Sequence, residues 1–400
     1  MELTSASVLK SLCQKIYMIG CGDFWYIQSK TPTWKKVLYK IYSMFLTILF
    51  YVFILGECLE VVLYSFPTDQ HRDCLSFAVA QIIVFIKLHI FDRNKKEVKL
   101  LISETIEVCK GYEDKYLLKK QRRLINLSIL SQFFVIYSAI FMYTVEALRR
   151  INSLFDYIIG EIFVSIVTYW PFYEDKSVSA MVVRVLVIPV MMLMMATMVF
   201  TEMLAVCHVI IVSFKFITII KYFEKIRDEF LNGYQENVSE YAIKLKKDIL
   251  KGIMMHRQLL GKIDKVFGLI ISIQVCQSSG VAVSILIRLA VSLENFIFMA
   301  FFFLSALLIE LALFMLSAGD ITYNASLVPD AIFHCGWYLC PATEKNGKEL
   351  RYIVLMGILQ AQQPVVLKAF GVKNLSYETF VSVSNFSTFL PDSHAQSSRR

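Results

Sequence analysis

Six runs of this chain are too apolar and too long for the surface of a water-soluble domain: 37–64, 74–91, 124–145, 181–214, 266–290 and 295–318. Each is close to or above the roughly 20 apolar helical residues that cross a bilayer's hydrocarbon core. Hydrocarbon leaves no partner for a bare N–H or C=O, so spanning segments are helices or closed barrels. Unbroken runs of this length select helices. With 56% hydrophobic and 18% charged residues, the rest of the chain agrees.

The last long segment, 348–390, has a different character. Leu350, Ile353, Val354, Gly357, Ile358 and Ala361 fall at i, i+3, i+4, i+7, i+8 and i+11, one apolar face of a helix. Lys345, Lys348, Glu349 and Arg351 make its start too polar for hydrocarbon, and Pro364 stops or kinks it. After a turn through Gly371 comes a helix over 375–390 that interleaves Ser376, Thr379, Ser382, Ser384 and Asn385 with Phe380, Val381, Phe386 and Phe389. It is too polar to face lipid on all sides and too apolar for a soluble surface. It belongs beside water or other helices at membrane depth, as a seventh span.

The expected fold is therefore an all-α polytopic membrane protein with seven transmembrane helices. Charge sets its orientation. Placing the N-terminus in the cytosol puts about 32 of the 41 Lys and Arg residues inside and about seven outside. This ordering requires 147–180 to be an outer loop, although 154–170 is nearly apolar enough to cross. A crossing there would move the basic block 215–265 to the opposite side from the basic block 93–123. The expected organisation is a cytosolic amphipathic lead-in over 1–36 lying against the membrane, then six spans over 37–318 with cytosolic helix extensions over 215–265. Anchor helices over 319–374, the seventh helix over 375–390 and a polar outer tail over 391–400 follow. The formal charge of +8 is explained by this topology rather than by nucleic acid. The sequons at Asn126, Asn237, Asn324, Asn374 and Asn385 then all lie where no glycosylation occurs. The start lacks a basic n-region and short apolar core, so no cleavable signal is expected. Nine scattered cysteines read as reduced thiols, with no metal site and no cofactor.

Four motifs in order are more specific. They are Trp170-Pro171-Phe172, then Ala318-Gly319-Asp320 followed by Ser326, then the run from Ala331 to Tyr338. The last is Ala361-Gln362-Gln363-Pro364 followed by Leu375-Ser376 and Glu378-Thr379-Phe380. On a seven-span frame with the N-terminus inside, this series resembles the insect odorant receptor family. Phe333 stands where that family usually has Tyr, and Gln360 and Gln363 stand where it commonly has basic residues. The resemblance implies a ligand-gated, non-selective cation channel in the plasma membrane of sensory neuron dendrites, opened by a small volatile organic ligand. It also implies a tetramer with the family's shared co-receptor. The anchor would join subunits through Trp337, Leu350, Ile353, Val354 and Ile358, and 375–390 would line the pore. The family's pore helix continues past this point with apolar residues, whereas here Pro391-Asp392-Ser393 follows. A different gate, a gate supplied by the co-receptor and an alternative C-terminus are the three readings of that departure.

The outer halves of the spans offer aromatic, aliphatic and Met walls with few charges, which suits a small apolar ligand. Pairs one turn apart at that depth are Phe77/Gln81, Tyr137/Phe141, Met191/Met195 and Phe298/Phe302. Ordinary helix packing is the competing reading of each. Gln81 and Tyr137 stand out because a buried polar tip must find a partner. Glu202, Glu310 and Glu378 are the deepest carboxylates, the first two expected near inner ends, buried or paired. Glu378 reads either as an acidic ring favouring cations or as a carboxylate at a helix N-terminus capped by Ser376. The expected pore stripe is Glu378, Ser382, Asn385 and Phe389; Ser376, Thr379, Val383 and Phe386 form its rival.

Other classes fit less well. A G-protein-coupled receptor has the opposite orientation, and no Asp-Arg-Tyr or Asn-Pro-x-x-Tyr occurs at the required places. A gustatory-type channel would carry a terminal Thr-Tyr-x5-Gln-Phe. A polytopic enzyme needs a catalytic cluster, and the six His residues are dispersed. The chain is not expected to be an enzyme.

Overall fold

The computed structural model describes residues 4–20, 22, 32–63, 78, 82–83, 85–149, 177–233, 238–260, 273, 293–340, 345–369, 373–374, 377–378 and 381. The architecture is helical: α1 (Ser5–Met18), α2 (Thr33–Leu63), α3 (Lys95–Glu107), α4 (Lys115–Arg149), α5 (Val178–Gly233), α6 (Val238–Leu260), α7 (Leu293–Ser326), α8 (Val328–Phe333) and α9 (Lys345–Ala361). Residues 85–93 are also helical. A two-residue antiparallel pair follows α9, with Lys368 opposite Asn374 and Ala369 opposite Lys373.

The centre of the molecule is α5. It runs for 56 residues, about 84 Å at the α-helical rise, far more than a bilayer requires. Every residue from Thr201 to Phe216 is buried, so this stretch has no polar face to offer water or lipid. The helices α1, α4, α6, α7 and α8 all pack on it. Among the described residues, the stretches long and apolar enough to cross a membrane are Thr33–Leu63, Met192–Asn232 and Leu311–Leu339. The helix α7 passes through Gly319-Asp320 without a break, so the sixth apolar run and the start of the expected anchor share one rod. Asn324, a sequon residue, donates from its side-chain amide to Ser213 Oγ at 2.8 Å and ties α7 to α5.

Two amphipathic faces are covered by the protein's own residues. The lead-in helix α1 begins with a capping box in which Thr4 Oγ1 accepts from the Ser7 N–H and Ser7 Oγ from the Thr4 N–H. Its apolar face, Leu9, Leu12, Cys13 and Ile16, is buried against the body of the protein and α5, not laid on lipid. The face of α9 is likewise taken within the chain. Leu350 and Val354 are buried, Ile353 and Ile358 pack on the same core, and α9 lies on α6 and α8. The approach is close at Gly357, where a Cβ would sit 2.4 Å from Ile253 Cδ1 of α6. What α9 exposes is the stripe Tyr352, Leu355, Met356 and Leu359, each about half accessible or more.

Candidate functional site

α4 and α5 run antiparallel, because contacts pair Asp114 with Lys221, Glu113 with Lys215, Gln132 with Glu202 and Phe133 with Phe200. The deepest polar group on this seam is Glu202. Its Oε1 accepts from Lys87 Nζ at 2.7 Å and its Oε2 from Gln132 Nε2 at 2.9 Å. The Lys87 and Glu202 side chains are 3% and 1% exposed. A lone charge in such surroundings would be far too costly, so pairing and hydrogen bonding are conditions for its presence. The expectation that Glu202 is buried or paired describes what the structure shows. Sequence reading missed Gln132 and passed over Lys87. A cation within an apolar run was the available signal, since it demands a carboxylate somewhere at the same depth.

An apolar and aromatic layer lies immediately beside this polar site, towards the C-terminal part of α4 and the N-terminal part of α5. Phe133 packs edge-on to Phe200 with ring centroids 5.3 Å apart and stacks with Tyr137 at 5.9 Å. One turn and more beyond, Met194 joins Phe50 and Phe53 of α2 in a second buried cluster, with Met195, Val190 and Leu193 against it. Tyr51 meets Phe85 edge-on at 4.4 Å, closing α2 onto residues 85–93. Met195 lies seven residues before Glu202 and Tyr137 five residues after Gln132, about 10 Å and 8 Å along their helices. Thioether and ring surfaces above a sealed ion pair can hold a small apolar molecule by dispersion and offer it few hydrogen bonds.

Of the residues singled out from sequence, the structure places Met195 half-buried in this layer and Tyr137 beside Phe133 with an exposed edge. Phe141, Met191, Phe298 and Phe302 sit on α4, α5 and α7, but their side chains lie outside the described residues, as does that of Glu310. Phe77 and Gln81 also lie outside them, as do Ser382, Asn385 and Phe389 of the expected pore stripe. Glu378 is exposed. Its neighbour Tyr377 reaches back to the end of α7, where its hydroxyl donates to Asp320 Oδ1 and its ring covers Gly319.

Below the seam, Lys215 is buried, not a solvated member of a basic block. Its ammonium donates to Ile106 O at 3.3 Å, Val108 O at 2.6 Å and Glu113 Oε1 at 2.6 Å, using all three protons. Those bonds hold the turn between α3 and α4, in which Cys109 takes a left-handed φ of 59°. Ser5 Oγ donates to Glu113 at 2.8 Å and brings α1 into the same knot. The Lys221 ammonium hydrogen-bonded to Asp114 holds that carboxyl below its usual range. Burial pushes the Cys109 thiol up to about 11, so it stays protonated and unreactive.

The motif Ala331 to Tyr338 also acquires a physical basis. Gly336 has φ +94°, a conformation that favours glycine, and turns the chain from α8 into the short 3₁₀ turn Trp337–Leu339. The Trp337 indole N–H then donates to Phe333 O at 2.8 Å, and Cys335 is buried beneath. Among the described residues, no group of three or more His, Cys, Asp and Glu is placed to hold a metal ion.

A sequence model described as 7tm odorant receptor matches residues 68–388. No curated protein matches the chain in sequence. Among solved structures, the insect olfactory receptor OR5 from Machilis hrabei is similar with a TM-score of 0.72 and 12% identity, covering 95% of both chains. The same receptor in complex with eugenol gives 0.72 and 13%, again over 95% of each. At such identity the likeness is one of fold.

Proposed function

This chain belongs to the 7tm odorant receptor family, and from that membership we propose that it is the odorant-binding subunit of a heteromeric, ligand-gated, non-selective cation channel. The observation that carries the reading is the layered contact of α5, with α4 around Glu202 and with α2 around Met194. A Met- and aromatic-lined outer layer ends on the buried Lys87–Glu202–Gln132 site, which keeps polar chemistry away from an apolar guest. The ligand is a small volatile organic molecule that contacts Met195 and Tyr137, with Phe77, Gln81, Phe141, Met191, Phe298 and Phe302 completing the walls. That the similar Machilis hrabei receptor was solved with eugenol supports a ligand of this size class.

In this reading the chain sits in the plasma membrane of sensory dendrites with its N-terminus in the cytosol. It assembles with a co-receptor subunit into a tetramer. Glu378, Ser382, Asn385 and Phe389 face the permeant cations, with Glu378 at the inner mouth. Subunits meet through Trp337 and the anchor. Because the chain itself covers Leu350, Ile353, Val354 and Ile358, the α9 surface left for a neighbouring subunit is Tyr352, Leu355, Met356 and Leu359.

The test is electrical. Cells expressing this chain with a co-receptor subunit should pass inward cation current on exposure to one or more members of a volatile panel, and cells expressing either subunit alone should not respond in the same way. Silence across the panel despite surface delivery of both subunits would refute the channel-subunit reading.

A further inference from the structure

The exposed side of α4 changes chemistry once along its length. One stripe runs Lys119, Arg123, Leu127, Leu130, Phe134 and Tyr137, at i, i+4, i+8, i+11, i+15 and i+18, all of them exposed. Below it Lys115, Lys120 and Arg122 are exposed too, and the buried residues Leu117, Leu118, Gln121 and Ile125 turn inward. A helix surface that passes from cationic to apolar within about one turn marks the edge of the hydrocarbon. The entry of α2 has the same form: Lys35, Lys36 and Lys40 are exposed just before Ile41, Met44 and Phe45. There Lys35 Nζ lies 5.4 Å from the centroid of the exposed Trp34 ring, an aromatic and cation pair suited to the headgroup layer.

Among the described residues, no ion pair joins these α4 cations to a carboxylate. No Asp or Glu occurs from 115 to 145. The acidic residues just before are engaged elsewhere: Glu107 with Lys110 at 2.8 Å, Glu113 with Lys215 at 2.6 Å and Asp114 with Lys221 at 2.9 Å. Five like charges within nine residues repel one another, and an anion held at the membrane edge relieves that repulsion.

We propose that Lys115, Lys119, Lys120, Arg122 and Arg123 form a docking surface for anionic lipid headgroups of the leaflet they border. The two guanidinium groups grip phosphate oxygens with paired N–H donors, and the lysines act as point charges around them. The acyl chains of the same lipid lie along Leu124, Leu127 and Leu130. Each cation contributes about fivefold to the preference for an anionic over a zwitterionic lipid.

The experiment uses the whole chain reconstituted in nanodiscs of phosphatidylcholine mixed with phosphatidylserine, and reads the retained lipids by native mass spectrometry. The expected result is enrichment of phosphatidylserine on the protein, reduced by about tenfold or more in the variant Lys119→Gln, Lys120→Gln, Arg122→Gln, Arg123→Gln. The charge-preserving variant Lys119→Arg, Lys120→Arg should keep it. Should the glutamine variant not fold, the native protein carries the test alone through loss of enrichment as salt is raised. Equal retention of the two lipids, or enrichment unchanged by the glutamine variant or by salt, overturns the proposal. So does displacement of the lipid by inorganic phosphate at constant ionic strength, which would mean an anion site indifferent to the bilayer. Odorant-evoked current is not the readout, so failure here is separable from failure of the channel reading.

Discussion

The Tyr377 hydroxyl donates to Asp320 Oδ1, and the Tyr377 ring lies so close over Gly319 that a Cβ there would come within 2.7 Å of it. Residues 57 apart in sequence thus latch the C-terminal part of α7 to the start of the segment proposed to line the pore. Glycine at 319 gives the ring room, and Asp320 beside it gives the hydroxyl an acceptor. The latch ties α7, one of the helices proposed to contact the ligand, to the proposed conduction path.

Breaking the latch should therefore change gating without changing assembly. Tyr377→Phe removes the hydrogen bond and keeps the ring, at a cost of about 1 kcal/mol given its partial exposure. We expect about a fivefold shift in the ligand concentration for half-maximal current. Gly319→Ala, which forces the ring away, should shift it further. Concentration–response curves that coincide with the native channel for both variants would remove the latch from the gating path.

The buried ion pair between Lys87 and Glu202 predicts an asymmetric pattern of stability. Glu202→Gln or Lys87→Met alone removes one partner of this ion pair and should destabilise the protein by about 3–5 kcal/mol, seen as a lower thermal midpoint in detergent. The double variant Lys87→Met, Glu202→Met should recover most of that loss. Additive losses in the double variant would show that the two side chains do not compensate one another.

Two adjacent residues on α9 should behave in opposite ways. Val354 is buried against the rest of the chain, so Val354→Asp should prevent folding and abolish surface delivery. Leu355 is exposed, so Leu355→Asp should leave the single subunit monodisperse and surface-delivered while eliminating co-purification with the co-receptor. Normal co-purification of Leu355→Asp would place the subunit contact elsewhere.

His256 gives the helical layer around α6 an acid sensitivity. It is buried on α6 with its ring against Phe216 at 5.9 Å, and burial pushes its pKa down to about 4 from an ordinary value near 6.5. The folded form thus favours the neutral imidazole and binds fewer protons than the unfolded form between those two values. Stability contributed by neutral His256 is present above about pH 6.5 and is lost as pH falls towards 4. The thermal midpoint of the native protein should fall across this window, and less steeply in His256→Phe. Parallel pH profiles of the two proteins would remove His256 as the cause.

Some of this was legible without coordinates. Long apolar runs leave the backbone no option but helix, so the all-α fold follows from hydropathy alone. Helix α9 ends at Ala361, three residues before Pro364, because proline cannot extend the hydrogen-bond ladder. The spacing of Leu350, Ile353, Val354 and Ile358 likewise says that this face must be covered. Periodicity cannot say by what, since it carries no information about which distant segment arrives. Tertiary structure decided that α6 and α8 cover it, leaving Tyr352, Leu355, Met356 and Leu359 outside. It decided as well that Lys87 and Gln132 meet Glu202, across separations of 115 and 70 residues. A charge in an apolar run announces that it needs a partner; only the packing of helices at a common depth determines which residue that partner is.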